Sequence, residues 1–228
     1  MLPLKWCPGC GIYTIFNTMC EILGELKEDV VVVSGIGCTG RIAAYFNLGS
    51  VHVTHGRAIP VAVGIKKANP KLKVIVISGE GDLLSIGGNH FLHSALRNDD
   101  ITVICNNNEV FGMTGGQKSP TTRKGAKTRT TLGGNISNPM NIQGIVVSNE
   151  KYFYARTSSF LMEHMKATVK KAINHKGFSF TEIVSPCIEN FVKKQGMTLK
   201  DVLEEIKNYK ISNTNKILDK DEFGVVEK

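Results

Sequence analysis

Four short β-branched runs in this chain each stop where a strand cannot continue, and helical stretches lie between them. Asp29-Val30-Val31-Val32-Val33-Ser34 ends at Gly35, and Lys73-Val74-Ile75-Val76-Ile77-Ser78 ends at Gly79. Ile101-Thr102-Val103-Ile104-Cys105 ends in Asn106-Asn107-Asn108, and Phe178 to Val184 forms the fourth run. Short, largely apolar runs of this kind are strands buried on both faces. Helices are predicted over 11–26, with Ile12, Ile15, Phe16, Met19, Ile22 and Leu23 on one face, and over 60–68. Further helices are predicted over 86–96, with Phe91, Leu92, Ala95 and Leu96 on one stripe, and over 158–173, with Leu161, Met165, Val169 and Ile173 at four-residue steps. Strands alternating with helices predict an α/β fold, a mostly parallel sheet with helices on both faces. Residues 1–185 make up that domain. Residues 186–228 form a C-terminal extension, with one helix over 198–206, that packs on the domain or on a partner.

In such sheets ligands bind beyond the carboxyl ends of the strands, and each end here carries an unusual cluster. The first is Gly35-Ile36-Gly37-Cys38-Thr39-Gly40-Arg41, the second Gly79-Glu80-Gly81-Asp82, and the third Asn106 through Gln117. Glycines let backbone amides approach an anion, and a helix start adds positive potential. Glu80 or Asp82 with an asparagine oxygen offers the hard ligands of magnesium. A magnesium-bound diphosphate is the expected occupant. Residues 106–140 are rich in Gly, Asn, Thr and Pro without periodicity, which marks a functional loop.

Cys7-Pro8-Gly9-Cys10 opens the first helix. Such a pair serves as a redox disulfide, half a zinc site or half an iron–sulfur site. No strand precedes it, as a thioredoxin-type motif requires, and the second CxxC of a zinc ribbon is missing from the sequence. Cys38 and Cys187 lie just beyond strand ends, whereas Cys20 and Cys105 are expected in the core as small hydrophobes. Four thiolates at loops and helix entries suit a [4Fe–4S] cluster. Spacing alone leaves zinc equally open.

Composition excludes other classes. With 42% hydrophobic and 21% charged residues among 228, the chain is an ordinary globular one. It lacks a run of about 18 apolar residues, so no membrane span is expected. The stretch Met1-Leu2-Pro3-Leu4-Lys5-Trp6-Cys7 lacks the apolar core of a secretory signal, which predicts a cytoplasmic, reducing location. The formal charge of +8 is local: residues 1–117 carry nine bases and nine acids, and 118–129 carry five bases and no acid. A nucleic-acid-binding surface is therefore not expected.

Cys7-Pro8-Gly9-Cys10-Gly11, Gly35-Ile36-Gly37-Cys38, His55-Gly56-Arg57, the Gly79-to-His90 segment and Met113-Thr114-Gly115-Gly116-Gln117 together resemble the β subunit of 2-oxoacid:ferredoxin oxidoreductases. The resemblance covers residues 1 to about 187, in order. It implies thiamine diphosphate with Mg²⁺, one [4Fe–4S] cluster, coenzyme A as co-substrate, ferredoxin as electron acceptor and an α subunit completing the site. By residue matching it implies a cluster on Cys7, Cys10, Cys38 and Cys187. It implies metal ligands at Glu80, the Asn108 side chain and the Val110 carbonyl, and a cofactor lining of Gly37, Cys38, Gly79, Gly81, Asp82, Asn108, Val110, Gly112, Met113 and Thr114. The family reads Gly-Asp-Gly-Asp where this chain has Glu80 at the first acidic position, one methylene longer at a site of narrow geometry. Arg41 resembles the basic residue of 2-oxoglutarate-type members and is expected to hold a distal carboxylate through its bidentate fork. His55 and Arg57 are expected to touch the diphosphate or the reacting carbonyl. The basic loop 118–129 is expected to face coenzyme A or an acidic ferredoxin. Two alternatives remain: a non-oxidative thiamine-dependent decarboxylase or carboligase, and a non-catalytic cysteine-clamped metal-binding interaction subunit.

Overall fold

The computed structural model describes residues 4–27 and 29–228; Met1–Pro3 of the N-terminal stretch lie outside the described residues. Helix α1 (Ile12–Glu25) precedes strand β1 (Val30–Ser34), and a 3₁₀ turn (Thr39–Tyr45) leads to β2 (Gly49–His52). Next come α2 (Ala58–Ala68), β3 (Lys73–Gly79), a π-helical turn (Gly81–Ile86), α3 (Gly88–Arg97) and β4 (Thr102–Asn107). A small hairpin of β5 (Val110–Phe111) and β6 (Gln117–Lys118) opens the long loop, and α4 (Ile142–Val146) closes it. Strand β7 (Phe153–Ser158), α5 (Met162–Asn174) and β8 (Ser179–Val184) complete the expected domain. Beyond a second π-helical turn (Ile188–Val192) lie α6 (Leu199–Lys207), β9 (Lys210–Ser212) and β10 (Glu222–Glu227).

One eight-stranded sheet runs in the order β2-β1-β3-β4-β8-β7-β10-β9. Its pairings are parallel except that β10 runs antiparallel to β7. Both faces are covered, as the apolar runs predict. On one, Ile15, Met19 and Ile22 of α1 and Met165, Val169 and Ile173 of α5 meet Val32, Ile75, Ile77 and Ile104. On the other, Ala58, Ile59, Ala62 and Val63 of α2 and Phe91 and Ala95 of α3 meet Val33, Val74, Val76 and Val103. Burying a side chain of this size contributes about 1.5–3 kcal/mol each, so the two apolar layers hold the strand ends in fixed register. No helix among the described residues is long and apolar enough to cross a membrane.

Four expectations need correction. The helix predicted over 158–173 begins at Met162, because residues 153–158 are strand β7, paired with β8 and β10. Leu92 and Leu96 are exposed, since the buried stripe of α3 runs through Phe91, Ser94 and Ala95 and leaves both leucines on its flank. Cys20 is exposed rather than core; it follows buried Met19, and one residue turns the side chain about 100° around a helix. The extension after residue 186 holds its expected helix but also β9 and β10, which widen the main sheet. Cys105 is buried, as expected.

Candidate cofactor and metal sites

The pocket beyond the strand ends is organised by one carboxylate. Asp82 is 2% exposed, on the turn that follows β3. Its Oδ1 accepts from His55 Nδ1 at 2.6 Å, the Gly56 amide at 2.7 Å and the Ile36 amide at 3.1 Å. Its Oδ2 accepts from the Ser78 hydroxyl at 2.9 Å. A charged acceptor makes hydrogen bonds about twice as strong as neutral ones. Asp82 therefore ties the end of β1, the entry to α2 and the end of β3 into one unit. Gly35 permits this, because a Cβ there would stand 2.0 Å from Asp82 Oδ2. With four donors on its two oxygens, Asp82 braces the loops around the pocket.

Glu80 is the complementary case. It is 1% exposed; Oε2 accepts a 3.4 Å contact from the Asn108 amide, and Oε1 is buried without a hydrogen-bond partner. Burial pushes its carboxyl up to about 8, against the pull of its own amide, the Ser119 hydroxyl and the Asn108 amide. A buried carboxylate oxygen without a donor is costly unless a cation completes it. The longer glutamate thus reaches the Asn108 turn, and the residues present fit Mg²⁺. On the adjoining wall Gly37, at φ +122°, has open space where a Cβ would stand. Gly81 has its Cβ position filled by the Phe111 ring, 2.5 Å away. The pocket is lined by Gly37, Cys38, Gly79, Glu80, Gly81, Asp82, Asn108, Val110, Gly112, Met113 and Thr114, together with His55. This close-packed, glycine-walled cleft is a cradle that fits a diphosphate.

Neighbouring asparagines divide their work by strand alternation. Asn106 donates to Thr39 Oγ1 at 2.8 Å and accepts from the Ser185 hydroxyl at 2.6 Å. Asn107 points to the other side, donating to Glu182 at 2.6 Å and accepting from Thr121 at 2.7 Å. Asn108 alone of the three lines the pocket with Glu80.

A second cavity adjoins the first. Cys7, Cys10, Cys38 and Cys187 all line it, drawn from three segments of the chain. The Cys7–Cys10 turn needs Gly9 at φ +80° and closes with a Cys10 amide to Cys7 carbonyl bond of 3.2 Å. Gly11 then brings α1 against the sheet end, where a Cβ would fall 2.1 Å from Ser159 Oγ. Trp6 Nε1 donates to the Cys38 carbonyl at 2.8 Å. Burial raises the thiols of Cys10 and Cys38 and pushes Cys187 up to about 11. Among the described residues no three Cys, His, Asp or Glu side chains are grouped as ligands of one metal ion. The four cysteines share the lining of this one cavity with Trp6, Ile12, Pro186 and Ile188. Cys38, Asn108 and Gly112 line both cavities. A Cβ on Gly112 would stand 3.2 Å from Cys187 Sγ and 3.9 Å from Asn108 Nδ2.

Of the three residues expected to act in catalysis, one lies in the pocket. His55 lines it, and since a carboxylate only accepts, Nδ1 carries the proton and Nε2 is left for a ligand. Arg57 is exposed, donates to the Gly56 carbonyl at 3.3 Å and acts electrostatically on His90. Arg41 is exposed and lines a separate open groove with Lys5, Tyr45, Ser50 and His52. Sequence reasoning passes over Ser78, Thr39, Ser185 and Asn190, whose Nδ2 donates to the Gly112 carbonyl at 2.9 Å. Position at a strand end was the available signal for Ser78 and Ser185; Asn190 offers none.

Comparisons with known proteins agree with this fold. Residues 35–183 match the family described as thiamine pyrophosphate enzyme, C-terminal TPP binding domain. The chain is 43% identical over 189 residues to 2-oxoglutarate synthase subunit KorB of Archaeoglobus fulgidus, covering 82% of this chain and 71% of that one. It is 44% identical over 186 residues to 2-oxoacid:ferredoxin oxidoreductase 1, subunit beta, of Aeropyrum pernix, covering 80% of this chain and 58% of that one. A solved 2-oxoglutarate:ferredoxin oxidoreductase from Magnetococcus marinus, with 2-oxoglutarate, coenzyme A and succinyl-CoA bound, superposes with a TM-score of 0.89 at 29% identity. That match covers 100% of this chain and 82% of the other.

Proposed function

This chain belongs to the β subunits of the 2-oxoacid:ferredoxin oxidoreductases, built on the C-terminal domain of thiamine pyrophosphate enzymes, and from that premise we propose that it carries thiamine diphosphate, Mg²⁺ and a [4Fe–4S] cluster for the oxidative decarboxylation of 2-oxoglutarate to succinyl-CoA. Ferredoxin takes the electrons, and an α subunit completes the site. The observation that carries this reading is the shared wall: Cys38, Asn108 and Gly112 belong to the diphosphate cradle and to the cysteine cavity at once. When bound, thiamine diphosphate supplies the electron sink for decarboxylation and the cluster supplies a one-electron acceptor beside it.

The chain's own residues do the rest. Glu80, Asn108 and the Val110 carbonyl hold the cation, and the Gly37 and Gly81 loops receive the diphosphate. Asp82 keeps those loops in register. His55, fixed in one tautomer by Asp82, presents Nε2 to the pocket for hydrogen bonding or proton transfer. Cys7, Cys10, Cys38 and Cys187 hold the cluster, and Arg41, exposed in its separate groove, binds the distal carboxylate of the substrate. The 2-oxoglutarate synthase relatives and the bound ligands of the solved neighbour support 2-oxoglutarate and coenzyme A as reactants.

Anaerobically purified protein is expected to contain iron and sulfide near about four each per chain. Stoichiometric zinc with no cluster after anaerobic reconstitution would overturn the electron-transfer role. With the co-expressed subunit pair, Arg41→Leu is expected to depress oxidation of 2-oxoglutarate but not of pyruvate; equal loss on both removes Arg41 from its assignment.

A further inference from the structure

The turn that carries Asn108 and Val110 is strained at its centre. Glu109 lies between them at φ +66°, one of two non-glycine residues with positive φ among the described residues. A left-handed conformation of a side-chain-bearing residue costs roughly 1–2 kcal/mol and persists where its surroundings over-determine it. Here the surroundings are mostly one residue. Arg123 Nε lies 3.0 and 2.8 Å from the two carboxylate oxygens of Glu109, Nη2 donates to Oε1, and the Arg123 amide donates to Oε2 at 3.1 Å. Thr122 Oγ1 donates to the Glu109 carbonyl, and the Glu109 amide is held by Asn107 Oδ1 at 3.2 Å.

Arg123 has two further attachments. Its Nη1 donates to Glu205 on α6, and its guanidinium lies 5.6 Å from the centroid of the Phe191 ring. Phe191 belongs to the turn that follows Cys187, and it packs with Val110 and Ala126 in a small apolar cluster that Cys187 also touches. One planar fork thus joins the cation-binding turn, the segment after a cluster cysteine and the C-terminal helix. Lysine, a point charge on a flexible stem, does not reproduce that geometry.

We propose that Arg123 is a positioning residue: bridged between Glu109 and Glu205, it locks the left-handed turn that presents Asn108 and Val110 to the cation, and so makes cofactor affinity depend on the docked C-terminal helix. The inference rests on the reading of Asn108 and Val110 as cation ligands. It assigns a structural task to α6 and removes one of the five bases of the 118–129 loop from any free, ligand-facing surface.

The test uses the full chain with Arg123→Gln, Arg123→Lys and Glu205→Gln. One measurement is calorimetric titration with thiamine diphosphate in Mg²⁺; the other is hydrogen exchange over residues 107–111 and over β3, without cofactor. Partners that orient a metal ligand typically change affinity about 10–100-fold when removed. Arg123→Gln is expected to weaken binding at least tenfold, with Arg123→Lys and Glu205→Gln falling between it and the unsubstituted chain. Exchange is expected to quicken at Glu109 and Val110 and to stay unchanged in β3. Binding within about twofold for all three variants, or exchange rising equally in β3, overturns the proposal. If Arg123→Gln does not fold, the other two variants decide by the same criteria. Failure of the unsubstituted chain to bind when titrated together with its α subunit overturns the reading of the cation site, and the exchange measurement still decides whether Arg123 locks the turn.

Discussion

The two adjoining cavities are built on opposite plans. The diphosphate cradle is cross-braced before anything enters it: Asp82 accepts four hydrogen bonds from two loops and the end of β3, and Asn106 joins Thr39 to Ser185. Among the described residues the cysteine cavity has no comparable brace through its thiols. Its thiols come from three segments, Cys7 is exposed, and burial disfavours the thiolate at Cys10, Cys38 and Cys187. A preorganised site binds because its shape is already fixed. A site of raised thiols must gain its cohesion from the positive charge of what it binds. The difference teaches that the first cavity belongs to the fold and the second to its occupant.

The largest test of that contrast is Asp82→Ala. It leaves the Ser78 hydroxyl, His55 and two amides without their acceptor, and breaking a buried charged network of this kind costs about 3–5 kcal/mol. Chemical denaturation of the metal-free chain checks it; a loss below about 1 kcal/mol would mean that the cradle is not braced through Asp82.

Next is the pH response of Glu80. Its folded value of about 8 stands above the ordinary 4.5. Between those values the folded chain binds more protons than the unfolded one, so stability is full below about 4.5, falls as pH rises towards 8 and then levels. The total is on the order of a few kcal/mol, at 1.36 kcal/mol per unit. Denaturant midpoints measured in chelator should show this fall, Glu80→Gln should abolish it, and Mg²⁺ should oppose it. A fall that survives in Glu80→Gln assigns the dependence to another group.

Gly112→Ala probes the common wall. The added methyl would meet Cys187 Sγ at 3.2 Å, and overpacking of this sort costs about 1–3 kcal/mol. Cluster content and thiamine diphosphate affinity are expected to fall together; loss of one alone would separate the cavities. The smallest effect is expected from Cys38→Ser. Cluster formation should disappear, while the stability of the metal-free chain changes by less than about 0.5 kcal/mol. A large destabilisation would show that the thiols hold the fold without an occupant.

Where the sequence was readable, one physical signal dominated. The runs 30–34, 73–79, 102–107 and 179–184 are central strands because both of their faces are apolar, and that pattern survives burial without any partner being known. β7 was hidden because Arg156 and Thr157 interrupt its apolar run; Arg156 is accommodated by Glu182 on the adjacent strand, 3.2 Å away. β9 and β10 were hidden for a related reason, since a late, charged strand is defined by the edge it joins. The glycines and cysteines at the strand ends located both cavities, because backbone approach and sulfur ligation restrict residue type strongly. The roles of Asp82 and Glu80 were not separable in the sequence: both are acids in one turn, and only the direction of each side chain divides brace from ligand. Arg123 was legible merely as charge, because its partners lie 14 and 82 residues away.

Trp6 is the chain's single tryptophan, and its indole N–H is bonded to the carbonyl of Cys38. It also packs within 5.8 Å of Phe16 and 5.1 Å of Tyr45, centroid to centroid. The molecule's ultraviolet emission therefore originates largely beside the cysteine cavity, where Trp6 also packs against the apolar layer under α1. Were the proposed cluster seated there, it would quench that emission by energy transfer, and filling and emptying of the cavity would become an optical signal intrinsic to the protein, readable without any added dye.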